Sequence, residues 1–306
     1  MKNKISITTT SFAEHDSRPI DILRNNGFDL ALNNKGRALK TDEIPGLCSN
    51  CAGIIAGTEK YDSVTLKTLK ASGLSAISRC GAGVDNIDLK AAGEMGIRIS
   101  NTPDAPTEAV AELTVGIIID LLRNISSMNS GIRNGKWNKE MGNLIKGKKI
   151  GIVGFGRIGR RVAEILSGFS AEIAYFDINE KLNAAEFNRK DLNQLLAWSD
   201  IITLHCSGLK GGERLINKES LFKMRKGSWI VNTSRGSLID EKALFEALND
   251  GHIKGAALDV YDKEPYSGPL TELKNVVLTP HAGSYAIESR IQMEIEAAEN
   301  IIKDLK

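Results

Sequence analysis

Three residues whose types suit a proton-coupled reaction each follow a short apolar run. Arg235 comes after SWIVNTS at 228–234, Glu264 lies just past GAALDVY at 255–261, and His281 directly follows NVVLTP at 275–280. Imidazole exchanges protons close to neutral pH, so His281 suits taking a hydroxyl proton from a substrate and returning it in reverse. Glu264 could accept a hydrogen bond from the other ring nitrogen and so fix the ring's orientation. A guanidinium offers a planar fork to a carboxylate, the part open to Arg235. Taken singly, each has a plainer account, a solvated arginine or a satisfied core histidine. What joins them is position: all three leave the carboxyl ends of strand-like runs, the ligand edge of an open α/β sheet.

A second constellation lies earlier in the chain. The segment Gly154-Phe155-Gly156-Arg157-Ile158-Gly159 follows the apolar run KKIGIV and opens a helical pattern at Arg160 to Leu166. In that setting Gly154 permits a tight turn, Gly156 lets backbone approach a pyrophosphate, and Gly159 lets helix and strand pack closely. The helix N-terminus offers free N–H groups to phosphates. The next apolar run, AEIAYF, is followed by Asp177. A carboxylate there accepts hydrogen bonds from ribose hydroxyls and repels a 2′-phosphate, which favours NAD over NADP. Together the two constellations describe hydride transfer between a carbon bearing a hydroxyl and a nicotinamide.

The elements that must position these groups alternate in type. Short Ile-rich runs (ISITT, AGIIAG, LSAISR, IRISN) are separated by helical spacing at 62–71 and 89–95, which predicts a doubly wound parallel α/β unit over the first hundred residues. A long amphipathic helix is expected from Thr107 into the Arg123 region. A second α/β series starts at Lys148, with strands predicted at KKIGIVG, AEIAYF, DIITLH, SWIVNTS, GAALDVY and NVVLTP. The tail from Ala286 to Lys306 reads as a helix that folds back on the first unit. The predicted partition is therefore discontinuous: 1–100 with 286–306 as a substrate-binding domain, and 101–285 as an inserted Rossmann NAD-binding domain.

Composition narrows the function classes. Lys+Arg number 40 against Asp+Glu 38, a balance that gives no reason to expect nucleic acid or a membrane surface. The N-terminal stretch has lysines but no apolar core behind them, so no secretory signal is expected. The apolar stretch at 113–122 is interrupted by Thr114, Gly116 and Asp120 and is too short to span a bilayer. The four cysteines fit a reducing cytoplasm rather than a disulfide framework. Cys48 and Cys51 have redox or zinc-ligand spacing, but no second pair completes a tetrahedral site, and a structural reading is preferred. No metal is expected. His15 and His252 sit in polar contexts. His205 ends DIITLH near the cofactor edge, where it either contacts the dinucleotide or packs.

With these residues in place, the chain resembles the D-isomer-specific 2-hydroxyacid dehydrogenases. The likeness is carried by RCGAGVDNID at 79–88, NTP and AVAEL within 101–113, GIVGFGRIGRRVA, NTSRGSLIDEKAL, ALDVYDKEP and NVVLTPHAGS. It implies a flavodoxin-like substrate domain around an inserted Rossmann domain, and the D stereochemistry of the substrate. It implies that Arg235, Glu264 and His281 are catalytic and that backbone groups of Gly81-Ala82-Gly83 hold the substrate carboxylate. Thr107 would meet a cofactor phosphate, Thr233 the ribose side and Asp259 the nicotinamide amide, with Arg157, Ile158, His205, Cys206 and Gly283 also lining the cofactor. Members commonly form homodimers through the nucleotide domain. For the helix at 113–122 an interface and ordinary core packing both stand. GTEK at 57–60 brings the chain nearest to phosphoglycerate dehydrogenase-like members, with Arg79 placed for a phosphate and 3-phosphoglycerate or a related sugar acid as candidate substrates. Two features depart from that pattern. Ala56-Gly57 stands where many phosphoglycerate enzymes have an arginine, and the loop from His205 and Cys206 lacks its usual proline. A C-terminal regulatory domain is not expected. The alternative reading is an NAD-sensing regulatory protein on the same scaffold.

Overall fold

The computed structural model describes residues 3–182, 184–208 and 212–306. The chain divides into two compact units, one running up to Pro106 and resuming at Ser284–Lys306, the other Thr107–Gly283.

The first unit alternates β1 (Lys4–Ile7), α1 (Arg18–Asn25), β2 (Asp29–Leu32), α2 (Ile44–Leu47), β3 (Gly53–Ala56), α3 (Ser63–Ser72), β4 (Ala76–Arg79), α4 (Leu89–Glu94) and β5 (Arg98–Asn101). The strands form one parallel sheet in the order β2-β1-β3-β4-β5, the flavodoxin-like arrangement. Two of its helices start where the sequence offers an acceptor. Asp62 and Asp88 cap α3 and α4 by accepting the N–H groups of Thr65 and Ala91.

The second unit opens with α5 (Thr107–Arg123) and α6 (Ile125–Arg133). It continues through β6 (Lys149–Val153), α7 (Arg157–Ser167), β7 (Glu172–Phe176), β8 (Asn188–Arg189), α8 (Leu192–Trp198), β9 (Ile201–Leu204), α9 (Lys218–Lys223), β10 (Ser228–Asn232), α10 (Glu241–Asn249), β11 (Ile253–Leu258) and β12 (Val276–Leu278). The parallel sheet runs β12-β11-β10-β9-β6-β7-β8. Each of the six anticipated runs is a strand; β8, two polar residues, adds a seventh that no apolar run announces. Both faces are covered. Leu195, Leu221, Leu244 and Leu248 pack on one side, and Ile118, Leu122, Val162 and Leu166 on the other.

The chain then returns to the first unit as α11 (Ile287–Leu305). Its inward stripe, Met293, Ala297, Ala298 and Ile301, is enclosed with Ile5, Ile7, Ile55 and Ala76. Ser289 Oγ donates to the Ala105 carbonyl at 2.6 Å, and Arg290 reaches Thr9 Oγ1 at 2.7 Å. Among the described residues no helix is long and apolar enough to cross a membrane, and no cluster of three or more His, Cys, Asp or Glu could hold a metal ion.

Candidate active site

Register brings the reactive loops together. Asn232 pairs with Leu258, and Leu258 with Leu278, so β10, β11 and β12 end side by side. The residues that follow each strand therefore emerge as neighbours. Gly236 tightens the arrangement: any Cβ there would run into the Tyr261 backbone carbonyl, so the loops after β10 and β11 touch main chain to main chain. Asn232 Nδ2 donates to the Arg235 carbonyl at 2.8 Å and fixes the turn that carries the guanidinium.

On this edge His281 Nδ1 meets Glu264 Oε2 at 2.8 Å. Glu264 Oε1 accepts the Tyr261 N–H at 3.1 Å, so both carboxylate oxygens are engaged. Burial acts to raise the Glu264 carboxyl. The hydrogen bond and charge of His281, the Tyr261 N–H and the charge of Arg235 outweigh it, and the group titrates below the usual carboxylate range. With Nδ1 held, Nε2 is the ring atom left for a substrate. His281 itself has a φ of 55°, a left-handed conformation uncommon for such a side chain. A buried carboxylate sustains it: Asp259 accepts Thr279 Oγ1 at 2.6 Å, the Ala282 N–H at 2.7 Å and the Gly283 N–H at 2.9 Å. Asp259 thus spends three of its acceptor positions on the His281 loop. Tyr261, which pattern alone did not single out, completes the brace. Its hydroxyl lies 3.0 Å from the Leu258 carbonyl and 2.9 Å from that of Thr279. Only the pairing of β11 with β12 brings those two carbonyls within reach of one ring.

The glycine loop fits a dinucleotide. A Cβ on Gly154 would meet the backbone of His205 and Cys206 at 2.6–2.7 Å, and one on Gly159 would strike the Gly154 carbonyl oxygen, whereas Gly156 faces open space. The loop is therefore closed toward the protein and open where a phosphate would approach, at the start of α7. Asp177 Oδ2 accepts the Phe155 N–H at 2.6 Å and Oδ1 that of Asn179 at 2.8 Å, fixing the carboxylate beside the loop. Thr107 Oγ1, at the first position of α5, is buried with no hydrogen-bond partner among the described residues, and so is His205 Nδ1. Burial pushes the His205 imidazole down to about 3, and its Nε2 bonds Thr203 Oγ1 at 2.8 Å. Ser234 Oγ donates to the Cys206 carbonyl, tying that loop to the one after β10. Thr233 is more committed than expected. Thr114 gives its proton to the Val110 carbonyl, so Thr233 is the donor in their 2.8 Å bond and keeps only lone pairs for a ribose hydroxyl.

In the first unit, the Gly81-Ala82-Gly83 loop leaves β4 and is pinned from below. The Gly81 N–H donates to Thr102 Oγ1 at 2.8 Å and Asn101 Nδ2 to the Ala82 carbonyl at 2.6 Å. Gly81 therefore cannot lend its own N–H to a carboxylate; it shapes the loop instead. The Arg79 guanidinium bends back onto the Cys80 carbonyl. In the GTEK segment Glu59 turns inward, where Thr8, Tyr61 and the Gly57 N–H donate to its Oε1.

Known proteins resemble this chain over most of its length. Residues 115–283 match the family described as D-isomer specific 2-hydroxyacid dehydrogenase, NAD binding domain. The chain is 42% identical to a glyoxylate reductase of Thermofilum pendens, over 81% of this chain and 76% of that one. It is 40% identical to a D-3-phosphoglycerate dehydrogenase of Methanocaldococcus jannaschii, over 78% of this chain but only 47% of the relative. Among solved structures, the TT0316 protein of Thermus thermophilus superposes with a TM-score of 0.90 at 34% identity, covering 99% of this chain and 96% of that one. The chain belongs to the D-isomer-specific 2-hydroxyacid dehydrogenase family, NAD-dependent oxidoreductases with two parallel-sheet α/β domains.

Proposed function

We propose that the chain reduces a small, unphosphorylated 2-keto acid of the glyoxylate or hydroxypyruvate kind with NADH, the second unit binding NAD and the first the substrate. The hydrogen-bonded Glu264–His281 pair beside Arg235 carries the reading. In the alcohol direction His281 Nε2 takes the hydroxyl proton as the C2 hydride departs; in reduction it returns that proton to the forming alkoxide oxygen. Glu264 holds the ring through Nδ1, and Arg235 binds the keto acid across its carboxylate and carbonyl oxygen. The N–H groups of Ala82 and Gly83 are the loop's candidates for the carboxylate. When bound, NAD supplies the hydride acceptor; Asp177 holds its ribose hydroxyls and turns away a 2′-phosphate. Ala56-Gly57 in place of an arginine, and the inward turn of Arg79, argue against a phosphorylated substrate.

The test is NADH oxidation, followed by absorbance, over glyoxylate, hydroxypyruvate, pyruvate and phosphohydroxypyruvate. The highest kcat/KM is expected for an unphosphorylated member, with NADPH poorer than NADH. A clear preference for phosphohydroxypyruvate would reverse the substrate assignment. NADH binding without turnover on any member would favour a regulatory protein on this scaffold.

The protein is further proposed to act in the cytoplasm as a homodimer. The helix at 113–122 is spent on the core: Ile117, Ile118, Leu121 and Leu122 are buried beneath α7 and the sheet. Large apolar side chains are instead exposed just beyond it, at Ile125, Ile132, Trp137, Met141 and Leu144, and this stretch is the proposed contact between copies. Sedimentation should give a dimer for the wild type and a monomer for Trp137→Glu.

A further inference from the structure

Cys48-Ser49-Asn50-Cys51 takes no part in the chemistry above, and its geometry is that of a dithiol ready to close. Between α2 and β3 the chain reverses in a turn in which the Cys51 N–H donates to the Cys48 carbonyl at 3.4 Å. Asn50, with φ of 57°, is left-handed at the third position of this turn, a conformation that asparagine tolerates. A turn of this kind holds its end Cα atoms within about 7 Å, inside the reach of a disulfide. The two side chains lie close enough for each to dominate the other's titration, with Ser6 acting on both. Both cysteines belong to the apolar core behind β3, directly beneath exposed Ser49 and Asn50.

The pair is also asymmetric. The hydrogen bond from Cys48, with help from Ser6 and the Lys4 ammonium, draws the Cys51 thiol down against its burial. That same bond and burial push Cys48 up. Lys4 is held in place by the Leu47 and Ser49 carbonyls, at 3.5 and 3.1 Å from its Nζ. The remaining thiols offer no such arrangement: burial pushes Cys80 and Cys206 each up to about 11.

We propose that Cys48 and Cys51 are a modification site, closing to a reversible intramolecular disulfide when the protein meets a hydroperoxide. The Cys51 thiolate attacks a peroxide oxygen; the O–O bond breaks, and the other oxygen leaves as water or alcohol after taking a proton. Cys51 is then a sulfenic acid. The Cys48 sulfur attacks the Cys51 sulfur, an S–S bond replaces the S–O bond, and the hydroxide departs as water with the Cys48 proton. The dithiol loses two electrons and the peroxide gains them.

The test is intact mass and peptide mapping of the reduced full chain after brief exposure to hydrogen peroxide and alkylation of remaining thiols. The expected product has lost two hydrogen atoms, carries a 48–51 cross-link, retains alkylated Cys80 and Cys206, and returns to the starting mass with a dithiol reductant. In Cys48→Ala, position 51 should stop at a sulfenic acid that dimedone captures; in Cys51→Ala, Cys48 should remain a thiol. The wild-type map decides the matter even if neither variant folds. Four alkylated thiols after treatment, a cross-link elsewhere, or sulfinic acid at Cys51 with Cys48 intact would each overturn the proposal.

Discussion

The acid–base role proposed for His281 falls to a residue in a backbone conformation that few side chains accept, which dictates how it should be tested. Asparagine tolerates the left-handed region, so His281→Asn removes the acid–base group without disturbing the loop. Keto acid turnover should fall by about 10²–10⁴-fold, with NADH binding retained by fluorescence. Glu264→Gln keeps the volume and loses the carboxylate. Because the Glu264 carboxyl is depressed, its contribution to stability is present above the ordinary carboxylate value and is lost as pH falls through the lowered one. The wild type should therefore keep the hydrogen-bonded Glu264–His281 geometry through the neutral range, and the variant should lose both activity and that acidic dependence. His205 works in the same direction for a different reason. Burial takes it from 6.5 to about 3, so the unfolded chain binds the proton first, and stability declines as pH falls from 6.5 toward 3. His205→Gln should flatten that decline in urea titrations at about pH 7.5 and about pH 5.

At the scale of elements, Gly159→Ala should weaken NADH binding sharply, because the new Cβ strikes the Gly154 carbonyl and must push α7 off β6. Ile118→Ala in α5 should cost about 2–5 kcal/mol in denaturant unfolding, as a cavity in an enclosed core. The same elements show what was legible in the chain. Runs such as KIGIV and IITL are enclosed on both sides, so apart from Lys149 and Thr203 they are apolar and easily seen. The strand DLAL lies at an edge, is only half covered and begins with an aspartate, so its apolar run is just three residues; β8 is exposed and has none. In the candidate site, Arg235, Glu264 and His281 were readable because each follows a visible strand. The work of Asp259 and Tyr261 was not, since their partners, mostly backbone groups, meet them only through strand register.

For the whole molecule, the discontinuity of the first unit is the feature with the widest reach. Removing α11 should strip the cover from β3 and β4 and destabilise that unit, while NADH binding by Thr107–Gly283 survives in the truncated chain. There is also a consequence for synthesis. On the ribosome the strands of the first unit emerge early, but the helix that seals Ile5, Ile7 and Ile55 is translated only after the entire inserted unit. The inserted unit can complete its own core from contiguous chain, and domains generally fold as they emerge. The nascent protein must therefore hold a half-built sheet, apolar on one face, through the translation of the whole second unit. That interval is when a chaperone has most to protect.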